Sequence, residues 1–332
     1  DGQTAVFQMQ GTTLVAVVTT TLAQLATLEL VAADNAFGNL DIDISVGSED
    51  SAIVNGATVT DSTSAADAAT QSISVTIAPV PTPPIVDIEH QYILSGEDTV
   101  PLGITLTPVN PAATETRDVL ISGVPDGVSL SEGTRSGSDW IVSEGQLPGL
   151  SMTGATADDY TLSVQGRSTL DGQTVSGQAS SIDIEVQTPG DNMLEGKDGI
   201  PELIVGGSGN DTLSGGTGAD QFLFRASDTG SSGSPALDQI TDFSVADTDS
   251  IDLSDLATGF TTGADFDAIV DLSESGGSTT LSIDLGDGNG TVQQIELANV
   301  SKDDLYGADA SSVSDADILQ RMIDDQTLMT GS

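Results

Sequence analysis

Two nine-residue units stand side by side in this chain and limit what it can become. Gly206-Gly-Ser-Gly-Asn-Asp-Thr-Leu-Ser214 fits the pattern G-G-x-G-x-D-x-U-x, with U apolar, at all five fixed positions. Gly215-Gly-Thr-Gly-Ala-Asp-Gln-Phe-Leu223 follows without a gap and fits again. Glycine lets the backbone turn through positive φ and brings its carbonyls inward. Leu213 and Phe222, in the U place, point into a coil as its apolar core. A hard cation such as calcium takes six to eight oxygens at about 2.3–2.6 Å, and an unliganded stack of carboxylates repels itself. The pattern therefore points to a short parallel β-roll that holds calcium. Gly206, Ser208, Gly209, Asn210 and Asp211 are the candidate ligating residues of one turn, and Gly215, Thr217, Gly218 and Asp220 those of the next.

Turns stack on the same side of a roll every second repeat, so each aspartate needs a partner about two repeats away. One unit upstream, Lys197 to Val205 is a degenerate repeat with Glu202 in the Asp place and Ile204 in the U place. Glu202 is expected to pair with Asp220. On the other side Asp211 finds Asp228, 17 residues on rather than 18.

Charge sets a second limit. Asp and Glu number 51 against 7 Lys and Arg, a formal charge of −44 over 332 residues. A nucleic-acid binder needs cations to replace the counterions on phosphate, and an anionic membrane would repel this chain. Such self-repulsion calls for neutralising cations. Cysteine is absent, which removes disulfides and Cys-based zinc sites and leaves bound metal as the staple for an exported chain. The apolar runs are short, so no membrane-spanning helix is expected. Catalysis is not expected either. The single histidine, His90, is followed by Gln91, there is no G-x-S-x-G, and Trp140 stands alone as a core residue rather than a sugar platform. His90 is read as a surface residue.

Upstream the pattern is β. Leu40 to Val46, Ile73 to Ile77, Val100 to Leu106 and Ser181 to Val186 alternate with period 2, and Thr13 to Val18 is a more continuous apolar strand. Four prolines in Ala78-Pro-Val-Pro-Thr-Pro-Pro84 make a stiff linker. The expected divisions are 1–80, 81–189 and 190–332. The first two share spaced identities: Gly2, Leu22, Leu25 and Asp34 match Gly127, Leu147, Leu150 and Asp159 at an offset of 125. Ser72-Ile73 matches Ser181-Ile182 at an offset of 109. The first copy lacks counterparts of Ile85 to Asp126, so it is expected to show an open sheet edge or to borrow strands. Asp34, Glu97, Asp98, Asp158 and Asp159 in apparent loops are further calcium candidates, with solvated loop charges as the alternative.

Ile121-Ser-Gly-Val-Pro-Asp-Gly-Val-Ser-Leu130, the Trp140-Ile-Val run and Gln146-Leu-Pro-Gly-Leu-Ser-Met152 resemble the immunoglobulin-like or cadherin-like repeats of large bacterial adhesins. The nonapeptide pair is similar to RTX repeats. Downstream, Asp238-Gln-Ile-Thr-Asp-Phe243 and Asp249-Ser-Ile-Asp-Leu-Ser-Asp-Leu256 resemble the block that closes RTX calcium-binding domains. That likeness implies Asp238 and Asp242 as ligands of the last site. Asp247, Asp249 and Asp252 remain open between ligands and solvated charges. Asp315-Ala-Asp-Ile-Leu-Gln-Arg-Met-Ile-Asp-Asp325 is the clearest helix, capped by Ser314 or Asp315, with Ile318, Leu319, Met322 and Ile323 on one face.

The fold expected is all-β: tandem immunoglobulin-like sandwiches, the first partial, then a short calcium-binding parallel β-roll with a β-rich cap and a C-terminal helix. Residues 190–332 resemble the C-terminal region of RTX adhesins exported by type I secretion. The resemblance implies a secreted, cell-surface protein serving adhesion or biofilm formation, a monomer whose uncleaved C-terminal signal meets a type I transporter. A sugar- or peptide-binding module for a surface ligand is the alternative function.

Overall fold

The computed structural model describes residues 6–10, 13–17, 38–45, 49–55, 57–62, 70–78, 80–96, 99–109, 115–231, 233–285 and 290–330. The chain divides into Asp1–Val80 and Pro81–Ser332, and strands dominate the described residues of both. Among the described residues of the first unit, six strands form three antiparallel pairs. These are Val6–Gln10 with Thr13–Val17, Gly38–Ser45 with Thr70–Ile77, and Glu49–Val54 with Ala57–Ser62.

In the second unit, residues from Pro81 to Gln187 build a sandwich. One sheet runs Thr134–Ser136, Asp139–Ser143, Thr116–Ser122, Asp158–Leu170, Gln173–Gln187 and Gln91–Ser95, in that spatial order. Facing it lie Ser129–Leu130, Ser151–Thr153 and Thr99–Pro101, with the pair Ile85–Ile88 and Ile104–Thr107. Alternation places Tyr160, Leu162 and Val164 of one long strand, and Ile182, Ile184 and Val186 of its neighbour, in the shared core. The single strand expected over Val100 to Leu106 is broken in two. Gly103 adopts φ +43 between the halves, so Val100 and Ile104 both reach the core from separate strands. Trp140 is half-buried against this core. His90, expected on the surface, is mostly covered, its side chain 17% exposed; burial lowers its pKa.

From Met193 the chain coils. Met193–Glu195, Thr212–Ser214 and Ala236–Ile240 stack in parallel as one wall of a roll. Glu202–Val205, Gln221–Leu223 and Ser250–Asp252 stack in parallel as the other. The U positions meet in register. Leu194, Leu213, Ile240 and Leu297 line one wall, and Ile204, Phe222, Ile251 and Leu328 the other. All are buried in one cluster.

The cap closes the roll by switching direction. Gln293–Leu297 is parallel to Ala236–Ile240 but antiparallel to Ser278–Ile283, which pairs in turn with Val270–Ser275. The Gly276-Gly277 turn of that hairpin has φ +65 and +86, the geometry that matches strand twist. Helix Asp315–Asp324 is capped by Ser314, whose hydroxyl accepts from the Asp317 amide, and it buries Ile318, Leu319 and Met322 in the roll's cluster.

The sandwich and the roll are not set apart by a gap at residue 189. Strand Gln91–Ser95 pairs on one side with Gln173–Gln187 and on the other with Glu202–Val205. A single ten-stranded sheet therefore runs through both.

Candidate metal centre

The glycine turns build the site. Gly207 and Gly216 hold φ +73 and +79, where a side chain would be strained. Gly206 and Gly215 are needed for a different reason. A methyl on Gly206 would stand 2.5 Å from Asp211 Oδ2, and one on Gly215 would meet Asp220 Oδ2 closer still. Each nonapeptide therefore folds its aspartate back over its own first glycine.

Two stacks of turns result. On one side lie Glu202, Asp220 and Asp249. The Glu202 amide donates to Asp220 Oδ1 at 2.9 Å, and the Asp220 amide to Asp249 Oδ1 at 3.1 Å. On the other side the Asn192 amide donates to Asp211 Oδ1, and the Asp211 amide to Asp238 Oδ1, both at 2.8 Å. In each rung one carboxylate oxygen satisfies the backbone of the neighbouring turn; the second oxygen accepts from the Gln293 side chain at Asp238 and from the Ser244 amide at Asp249, and is left over at Asp211 and Asp220. Glu202 Oε2, Asp211 Oδ2 and Asp220 Oδ2 are buried without a hydrogen-bond partner, as is Asp228 Oδ2. Buried anionic oxygens without donors are costly, and Glu202, Asp211 and Asp220 sit against Gly196, Gly206 and Gly215, where a methyl would crowd them.

The electrostatics agree. Burial is the main cause that pushes the Glu202 carboxyl up to about 7 and Asp238 up to about 7. Burial likewise lifts Asp211 to about 6 and Asp249 to about 6, and raises Asp220. Neighbouring acids add to the shift: Asp220 acts on Glu202, and Asp191 and Asp228 act on Asp211.

Glu202 and Asp220 are stacked, and Asp228 comes near enough to Asp211 to act on its charge. The hydrogen-bonded neighbour of Asp211 is Asp238, 27 residues on. Both Asp238 oxygens accept donors, the second from the Gln293 side chain at 2.6 Å. Asp242 accepts from the amides of Gly215 and Gly216 and the hydroxyl of Ser214. The carbonyls of Ser208 and Thr217 face the stacked turns upstream and accept from Gly190 and Gly199. Asn210 accepts from the Leu237 amide, and Gly209 and Gly218 pack on the backbones of Gly190 and Ile200.

Sequence reasoning left Asp249 open, yet it is 1% exposed and holds a rung. Asp191 and Asp198 were missed. They accept from the amides of Asn210 and Thr217, and their position 19 residues upstream of those amides was the available signal. Asp158 and Asp159 lie exposed at the start of a sandwich strand. Asp34, Glu97 and Asp98 lie outside the described residues.

The orphaned oxygens and the glycine cradles fit calcium. Glu202 and Asp220 would hold an ion in one stack, and Asp211 with Asp228 in the other. Bound there, a cation would supply the positive charge that the carboxylate oxygens lack in place of hydrogen-bond donors.

Residues 190–316 match the model of the peptidase M10 serralysin C-terminal domain, an RTX-type calcium-binding β-roll family. Among solved structures, the chain is similar to the R2 module of the mannuronan C5-epimerase AlgE6 from Azotobacter vinelandii. The identity is 25% over 44% of this chain and 83% of that one, with a TM-score of 0.29. The R3 module of the same epimerase matches at 26% identity over 38% of this chain and 83% of that one, with a TM-score of 0.25. Domains 4 and 5 of the surface-layer protein SbsC match at 11% identity over 45% and 70%, with a TM-score of 0.23. No curated protein matches the chain.

Proposed function

We propose that this chain is the calcium-binding C-terminal part of a secreted RTX adhesin. Its sandwich and the strand-rich unit before it are extender modules, and its roll is a calcium-triggered folding domain. The terminal helix and the strand after it belong to an uncleaved type I secretion signal. The observation that carries the calcium reading is the set of buried, donorless carboxylate oxygens at Glu202, Asp211 and Asp220, each in a turn stacked on another. Without cations the acids repel one another, and the cytosol holds too little calcium for extracellular sites, which bind at about 10⁻⁴–10⁻³ M. The roll would reach the transporter unfolded. Outside the cell, calcium would neutralise the carboxylates and binding energy would become folding energy. A folded roll would then resist sliding back.

The test is export and folding together. The chain is expressed in a Gram-negative cell with and without a type I transporter, and the medium is assayed by limited proteolysis in calcium and in chelator. Transporter-dependent appearance in the medium, with residues 190–332 protected only in calcium, supports the reading. Protection in chelator, or export that survives removal of residues 315–332, overturns it. A glycan and peptide array on the calcium-loaded chain then asks which surface is recognised.

A further inference from the structure

Two strands at the junction serve two cores at once. In Gln91–Ser95, Tyr92 and Leu94 lie in the sandwich core while Ile93 lies in the roll core. In Glu202–Val205, Leu203 and Val205 lie in the sandwich core while Ile204 lies in the roll core. The two strands pair in parallel, with Leu203 opposite Tyr92 and Val205 opposite Leu94. The sandwich core is therefore completed by residues of the roll, and the roll core by a residue of the sandwich.

The ladder of amides also crosses the boundary. Where the Glu202 amide donates to Asp220 and the Asp220 amide to Asp249, the Asp183 amide donates to the side-chain oxygen of Gln91. A neutral amide stands at the rung where the carboxylates end. The Gln91 amide in turn donates to the Pro201 carbonyl at 3.0 Å.

We infer that Gln91–Ser95 is the first coil of the roll. The sandwich is then its N-terminal cap and template, and cation binding in the roll stabilises the sandwich as well. A coil in a stacked array touches only its neighbours, and its end must be covered. With the roll unfolded, Gln91–Ser95 would keep one partner and present an open edge. Tyr92 and Leu94 would lose Leu203 and Val205. The cation half of the inference rests on the calcium reading above; the shared-core half rests on packing alone.

Trp140 makes the test selective, because it is the only tryptophan. It lies in Asp139–Ser143, separated from Gln91–Ser95 by three strands of the same sheet. In the full chain, calcium should raise the midpoint of the thermal transition seen by Trp140 fluorescence. It should also slow amide exchange in Gln91–Ser95 by about tenfold or more. A Trp140 midpoint and exchange rates that ignore bound calcium overturn the coupling.

Leu203→Ala, in saturating calcium, should lower the Trp140 midpoint although Leu203 lies outside residues 81–189. An unchanged midpoint overturns the shared core. Complete loss of the transition counts with a lowered midpoint, and the milder Leu203→Val then gives the graded shift. If no calcium binds, the functional reading fails, and the Leu203 variants still decide whether the strand is shared.

Discussion

Filling the glycine cradle should weaken cation binding without removing a single charge. Gly215 has no positive φ, so alanine there brings no backbone strain. Its methyl would press on Asp220, with Cγ at 2.6 Å and Cβ at 2.7 Å, and on Oδ2 more closely still. The Asp220 side chain is fully buried and one of its oxygens is fixed by the Glu202 amide, so it has little freedom to retreat. Overpacking of this kind costs about 1–3 kcal/mol. Since about 1.4 kcal/mol is tenfold in affinity, Gly215→Ala should weaken calcium about 5- to 150-fold. Gly206→Ala, with Asp211 Oδ2 at 2.5 Å, should act alike in the other stack. Gly145→Ala is the control: its methyl would meet nothing within 4 Å. Calorimetric calcium titration of the three variants reads the effect. Unchanged affinity in both Gly206→Ala and Gly215→Ala would refute the cradle.

Asp249→Ala should leave the Asp220 amide without its acceptor and cost about 1–3 kcal/mol, read as a lower melting temperature of the roll even in calcium; an unchanged melt would contradict the rung. In chelator, burial holds the folded-state pKa values of Glu202 and Asp238 at about 7, and of Asp211 and Asp249 at about 6, above their ordinary 4.5 and 3.8. Folded protein then binds more protons than unfolded protein, so the calcium-free roll should be most stable below about pH 4 and lose that stability as pH rises to 7. Calcium binding near pH 6 should release protons, which titrations in buffers of different ionisation heat would detect; melting that improves with pH in chelator would contradict this. Ser314→Ala removes the acceptor for the Asp317 amide and should cost about 0.5–2 kcal/mol, seen as faster amide exchange across Asp315–Asp324.

The roll was legible because its period is local. Leu213, Phe222 and Ile204 fall in the U place by counting nines, and all three are buried where the count puts them. Counting failed where the coil is interrupted. The chain leaves Leu223 and returns at Ala236, so Asp249 stands 29 residues from Asp220 rather than 18 and read as an ambiguous loop charge. The shared strand was missed for another reason. Period 2 marks a strand with one wet face, but Tyr92-Ile-Leu and Leu203-Ile-Val are continuous apolar runs because both faces are covered. In sequence they look like any buried strand, and nothing in either run says that its two faces serve different cores. Gly103 split an expected strand because alternation survives a tight turn of even length: Val100 and Ile104 are buried on two separate strands, and Leu102 is buried in the connection between them.

The most direct test of the stacked carboxylates is a calorimetric calcium titration of the metal-free chain at neutral pH with far-UV dichroism recorded alongside. The expected result is saturable binding with proton release, accompanied by a gain of β signal as residues 190–330 order. A chain that shows its full β signal in chelator, and gives no binding heat when calcium is added, would contradict the claim that the stacked carboxylates are cation sites.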